Sequence, residues 1–109
     1  MPNFKNVSTG TIAANGASVE HDLRLVSSGY FSLQISGSFS GTIAFEATLD
    51  GTNWVSLAAK ASSQTTKTTL VVSTTAAGIF SDDAYAIKSI RARATAWSSG
   101  TATVNFASV

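Results

Sequence analysis

At 109 residues the chain has the size of one domain, long enough to bury a core without metal or disulfide support. Only 12% of its residues are charged, against a usual ~25%, and the formal net charge is +1. The seven Lys and Arg are scattered, with Arg91 and Arg93 the closest pair, so the clustered cations that nucleic-acid binding draws on are missing.

The sequence contains no cysteine, which excludes a disulfide framework, Cys-ligated zinc and a cysteine nucleophile. The opening "MPNFKNVSTG" lacks the apolar core of a signal peptide, and no segment approaches the ~20 apolar residues of a membrane span. The expectation is a soluble, unprocessed chain that binds neither nucleic acid nor membrane.

Periodicity along the chain is almost entirely two. "TIAANGASVEHDLRLV" reads as a short strand, an Asn15-Gly16 turn and a longer strand. In "YFSLQISGS", Phe31, Leu33 and Ile35 share one face, with Tyr30, Ser32, Gln34 and Ser36 on the other. The Gly/Ser stretch "SGSFSG" then predicts an antiparallel hairpin with "TIAFEATL", where Ile43, Phe45, Ala47 and Leu49 point inward. Asp50-Gly51 is a second hairpin turn, since both residues tolerate the positive φ such turns demand. Val55 and Leu57 resume the inward face, and Trp54 has outward parity. "ASSQTTK" (61–67) reads as a polar loop, "TTLVVST" (68–74) as a strand, and "AAGIFSDDAYAI" as a break around Gly78 and Asp82-Asp83. "IRARATAW" sets Ile90, Ala92, Ala94 and Ala96 inward, against Arg91, Arg93, Thr95 and Trp97 outward. "SSG" (98–100) turns the chain into "TATVNFASV", with Ala102, Val104 and Phe106 inward. No stretch is convincingly helical.

Roughly eight short strands with turns every 8–12 residues predict an all-β fold: an antiparallel two-sheet β-sandwich, jelly-roll or Ig-like. Residues 1–9 form an N-terminal arm on this reading, and 10–109 the single sandwich domain.

Little in the sequence points to catalysis. On a strand, Glu20 and Asp22 project to one face and His21 to the other, so the three cannot chelate together. His21 shares parity with Val19, Leu23 and Leu25, which reads as a core or rim histidine. Asp50, Asp82 and Asp83 fall in turns, where aspartates serve as turn formers as well as calcium ligands. There is no Gly-rich phosphate loop and no G-x-S-x-G elbow. The expectation is a protein that is not an enzyme, with no cofactor and no metal.

Aromatic residues supply the candidates for contact. Trp54 and Trp97 have outward parity, and Arg93 shares the face of Trp97. Each ring reads three ways: cover for a strand edge, interface anchor, or sugar-stacking platform. Phe4 in the arm is a further anchor candidate. The interface set is therefore Phe4, Trp54, Arg93 and Trp97.

"GTIAFEATLDGTNWVSL", with "SIRARATAWSSGTATVNFASV" downstream, resembles small β-sandwich structural proteins of tailed-bacteriophage virions. Gly41-Thr42, Glu46, Asp50-Gly51 and Trp54 match a hairpin pattern of that group. Ile90-Arg91-Ala92-Arg93, Ser99-Gly100 and Val104 match its C-terminal hairpin. The likeness covers about half the chain, mainly Gly41–Leu57 and Ile90–Val109. The Asp50-Gly51…Trp54 turn also resembles that of discoidin-type jelly rolls, which bind glycans or lipids. The phage resemblance implies a non-enzymatic virion protein: a head decoration or cement protein, or a neck, tail or fibre module. It also implies the major capsid protein or other virion proteins as partners, a homo-oligomer, and residence in the virion. The discoidin-like turn keeps a glycan as a second ligand class.

Overall fold

In the computed structural model, which describes residues 6–23, 29–62, 70–83 and 87–108, the alternation in the sequence becomes alternation in burial. Phe31, Leu33 and Ile35 are buried while Tyr30 and Gln34 are exposed. Every regular element among the described residues is a strand: β1 (Asn6–Ile12), β2 (Ser18–Asp22), β3 (Tyr30–Ser36), β4 (Phe39–Thr48), β5 (Val55–Ser56), β6 (Ala59–Ser62), β7 (Leu70–Val71), β8 (Ser73–Thr74), β9 (Gly78–Asp83), β10 (Ser89–Gly100) and β11 (Ala102–Ser108). Eleven short strands thus stand where about eight were expected. They form two packed antiparallel sheets, ordered β1-β11-β3-β9-β6-β7 and β2-β10-β4-β5, with β8 also pairing β4. The two-sheet sandwich is as the sequence predicts.

The connection between β3 and β4 is not the expected hairpin. β3 lies between β11 and β9 in the six-stranded sheet, and β4 lies in the five-stranded sheet against β10. The chain passes between sheets at Gly37-Ser38, and β10 passes back into β11 at Gly100-Thr101, so the C-terminal pair is not a hairpin either. The two bends face each other. Ser36 pairs with Thr103 on one side of the corner and Phe39 with Gly100 on the other, and the Thr101 amide donates to the Ser38 carbonyl across it at 3.2 Å. β3–β4 and β10–β11 are therefore one antiparallel ribbon folded over itself, which places strands inside both sheets. Gly37 (φ 106°) and Gly100 (φ 90°) supply the backbone conformation at this fold.

The core lies between the sheets. Ile12, Val104, Phe106, Leu33 and Phe80 from one sheet meet Val19, Ile43, Phe45, Ile90, Ala92 and Ala94 from the other. The small alanines of β10 sit beside large neighbours: Ala92 is paired in register with Phe45, whose ring tilts onto Phe80 at 4.9 Å between centroids. Gly10 on β1 brings its backbone against Val19 on β2, where a Cβ would stand 2.9 Å from Val19 Cγ2.

Several local expectations change for identifiable reasons. β1 begins at Asn6 and pairs with β11, so residues 6–9 of the expected arm belong to the sheet. Phe4 and the rest of residues 1–5 lie outside the described residues. The segment around Gly78 and Asp82 is strand β9, held between β3 and β6 by the buried Phe80. The stretch expected as one strand over 68–74 is two-residue β7 and β8 in different sheets, where it is described. Leu49 falls beyond the end of β4 and is 70% exposed rather than inward. Val55 is opposite Ala47 in register, so it has the inward parity expected, yet it projects past the packed core and is 66% exposed.

Candidate interaction surface

The outer face of the five-stranded sheet carries a connected polar cluster. Register aligns Glu20 on β2, Arg91 on β10 and Glu46 on β4 in one row, with Arg93 two residues along β10. Arg91 Nε donates to Glu46 Oε1 at 2.7 Å, and Arg93 grips the same carboxylate twice, Nε to Oε1 at 3.0 Å and Nη2 to Oε2 at 2.8 Å. The Glu46 side chain is only 13% exposed. The two-pronged bond from Arg93 and the second cation hold its carboxyl down to about 2.

Trp54 joins this cluster through Arg91, whose guanidinium lies 4.2 Å from the ring centroid. The turn that delivers Trp54 is self-satisfied. Asp50 Oδ1 accepts from the amides of Thr52 and Asn53, both at 2.8 Å, and from the Thr48 hydroxyl at 3.0 Å. Asp50 Oδ2 accepts from Asn53 Nδ2 at 2.8 Å. Chief among these the Asn53 amide, then that of Thr52, keep the Asp50 carboxyl well below the usual carboxylate range. Both oxygens are thus engaged by the loop's own donors. The Asp50-Gly51 expectation holds, with β4 and β5 forming a hairpin across it.

Trp97 is elsewhere. The β4–β10 register shifts between Ala94 and Ala96 and again between Trp97 and Ser99, and the first shift reverses the side on which Ala96 and Trp97 point. Ala96 becomes exposed instead of inward. Trp97 comes opposite Gly41 on the side of Ile43 and packs against the core cluster, contrary to its expected outward parity and its expected sharing of a face with Arg93. Its ring stacks on Phe39 (centroids 5.1 Å apart, 7° between planes), and its Nε1 donates to the Gly100 carbonyl at 3.1 Å. The structure therefore brings Trp54 and Arg93 to one cluster and separates Trp97 from both.

Two features escape a residue-by-residue reading. Glu46, Arg91 and Arg93 all have outward parity in the sequence, but only the β4–β10 pairing brings them together. The second feature is an open groove of about 380 Å³ lined by Ala47, Leu49, Val55, Leu57 and Ile87, beside the Asp50 turn. Nothing in the sequence marks it, because alternation says which way Val55 points and not whether the other sheet reaches far enough to cover it.

His21 is 1% exposed. Its Nδ1 lies 2.7 Å from Ser8 Oγ and its Nε2 2.8 Å from Ser108 Oγ, and the ring stacks on Phe106. Burial pushes its pKa down, opposed by the nearby Asp22 carboxylate. Among the described residues, no three His, Asp or Glu side chains gather as a metal site.

No protein-family model and no curated protein matches the chain. Among solved structures, the fold is similar to that of the SPBc2 prophage-derived protein YomS, with a TM-score of 0.71 over 98% of each chain at 14% sequence identity. The likeness is one of fold, end to end.

Proposed function

We propose that this chain is a non-enzymatic structural protein of a tailed-phage virion, and specifically a decoration protein that binds the assembled head. The observation that carries the reading is the end-to-end fold likeness to a prophage-derived protein. The residues behind the sequence resemblance support it. Glu46 from the first motif holds Arg91 and Arg93 from the second, Arg91 covers Trp54, and Gly41 lies under Trp97. The two motifs thus meet at the β4–β10 pairing, which supports reading them as a scaffold.

A protein of this kind acts by mass action: it binds surface present only in the assembled shell and stabilises that state. The outer faces of β1, β11 and β3 suit the role. They present Val7, Thr9, Thr11, Thr103, Asn105, Ala107, Ser32, Gln34 and Ser36, with no charged side chain to desolvate. A paired-tryptophan sugar platform has lost its geometric basis, since Trp54 and Trp97 lie on different sides of their sheet.

The test is quantitative protein composition of purified particles with electron microscopy of the same sample. High copy number spread over the head is expected. A few copies at the neck or tail would reassign the chain to a connecting or fibre role, and absence from particles would overturn the virion reading.

A further inference from the structure

Sheet edges are where β-proteins associate unless something blocks them, such as charge, proline, short length or a covering segment. Four of the five edge strands among the described residues are blocked by length or charge. β7, β5 and β8 are two residues long. β2 carries Glu20 and Asp22: pairing two copies antiparallel about Glu20 would set the two Glu20 carboxylates face to face, and pairing about His21 would set Glu20 of each copy opposite Asp22 of the other. β1 differs. It is seven residues long, reads "NVSTGTI", contains neither charge nor proline, and among the described residues pairs with β11 on one side only. Its Val7 is 62% exposed.

We propose that β1 is a self-association edge: two copies pair antiparallel along Asn6–Ile12 about a two-fold axis at Thr9, merging two six-stranded sheets into one. The strand is self-complementary in that register. Thr9 meets Thr9 of the second copy on the axis, Val7 meets Thr11, and Thr11 meets Val7. The outward row is therefore β-branched throughout, with a Thr–Thr pair on the axis, a combination that favours strand pairing. On the inward side Ser8 meets Gly10, small against small. The contact is isologous and closes at two copies. The uncharged outer faces of β11 and β3 continue the same surface outward from the joint, so no like charges oppose the approach. This inference rests on the edge alone and stands or falls apart from the virion reading.

Light scattering of the purified full chain at high micromolar concentration tests it. The expected mass is twice the 11.2 kDa of one chain, falling toward one on dilution. Thr9→Lys places two cations face to face on the axis and should give a folded monomer, as should Thr9→Asp. An equimolar mixture of the two should recover the dimer mass. Asn105→Lys is the control. It removes the same Thr9–Asn105 hydrogen bond, 2.8 Å in the native chain, and adds the same charge one strand inward. Its two copies lie three strand spacings apart, about 14 Å, where screening is strong, so the dimer should survive. A native chain that is monomeric, an oligomer that Thr9→Lys leaves intact, or a Lys/Asp mixture that stays monomeric would each overturn the proposal. So would β1 edge pairing found only with a strand of another protein.

Discussion

His21 Nε2 lies 2.8 Å from Ser108 Oγ, and this contact runs from one sheet to the other. Ser8, on the other side of the ring, also belongs to the six-stranded sheet. A histidine of the five-stranded sheet is thus held by two hydroxyls of its opposite. A neutral ring suits the arrangement, with one N–H donating, the other nitrogen accepting, and each hydroxyl able to take either part.

The pH dependence of stability follows from that neutrality. Burial lowers the folded pKa of His21 below its ordinary 6.5. Above 6.5 neither state is protonated and the stability is fully present. As pH falls through 6.5 toward the folded value, the unfolded chain takes up a proton that the folded chain refuses. Stability then declines by up to about 1.4 kcal/mol per pH unit. Since the chain has one histidine, urea midpoints measured from pH 7.5 to 5 should fall in this window. His21→Gln should flatten that slope while lowering stability overall by roughly 1–3 kcal/mol for the disturbed buried bonds. An unchanged slope in the variant would assign the pH dependence to other groups.

Glu46 sets a second, more acidic limb. Its folded pKa is lowered from 4.5 to about 2, first by the Arg93 hydrogen bonds. The stabilisation is complete above 4.5 and is lost as pH falls from there toward 2. The shift corresponds to about 3 kcal/mol, trimmed to roughly 2 because the arginine side chains are 20% and 34% exposed. Glu46→Gln should therefore lower neutral-pH stability by about that amount, since it leaves two guanidiniums side by side without the carboxylate that bridges them. It should also remove the steepest part of the acid unfolding curve. Parallel acid titrations followed by circular dichroism test this, and superimposable curves would count against it.

Close approach rather than turn geometry explains Gly41. A Cβ there would stand 2.5 Å from the Ala96 carbonyl oxygen and 2.5 Å from Trp97 Cε3. The ring could move, but the carbonyl belongs to the bulged backbone of β10. Gly41→Ala should cost about 1–3 kcal/mol and shift tryptophan fluorescence as Trp97 is displaced from Phe39. Adding Trp97→Ala should leave most of the loss in place. Full recovery in the double variant would show that the ring alone sets the limit.

The sandwich was legible because half-buried strands write their faces into the sequence. Phe31, Leu33, Ile35, Ile43, Phe45, Ile90, Val104 and Phe106 are all inward as their parity says. Pairing was less legible, because parity names a face and not a neighbour. β3 and β4 look like a hairpin on either side of Gly37, yet β4 pairs with β10, 41 to 61 residues away, and β3 with β11, 67 to 77 residues away. Trp97 was lost to a single bulge between Ala94 and Ala96, a backbone event that alanines and threonine do not announce. Among the interface candidates, Trp54 reached the outer cluster, but it did so through Arg91, which alternation placed on the right face without showing what it would touch.

The corner where the β3–β4 and β10–β11 ribbon folds gives the sharpest test of the topology. At Gly100 a Cβ would lie 2.4 Å from the Ser38 carbonyl oxygen, and at Gly37 2.5 Å from that of Thr101, so each bend occupies the space the other would need. Gly16 has a comparable positive φ of 82° but nothing within 4 Å of the Cβ position. The comparison separates conformational strain from crowding. Gly16→Ala should cost only the left-handed backbone penalty, about 1–2 kcal/mol. Gly100→Ala should add roughly 1–3 kcal/mol of overpacking against backbone that cannot yield without moving both sheets. Gly37→Ala should match Gly100→Ala, and because both act on one corner their combination should fall short of the sum. Urea midpoints of the four variants settle the order. Equal losses at Gly16 and Gly100 would mean that the two bends do not press on each other.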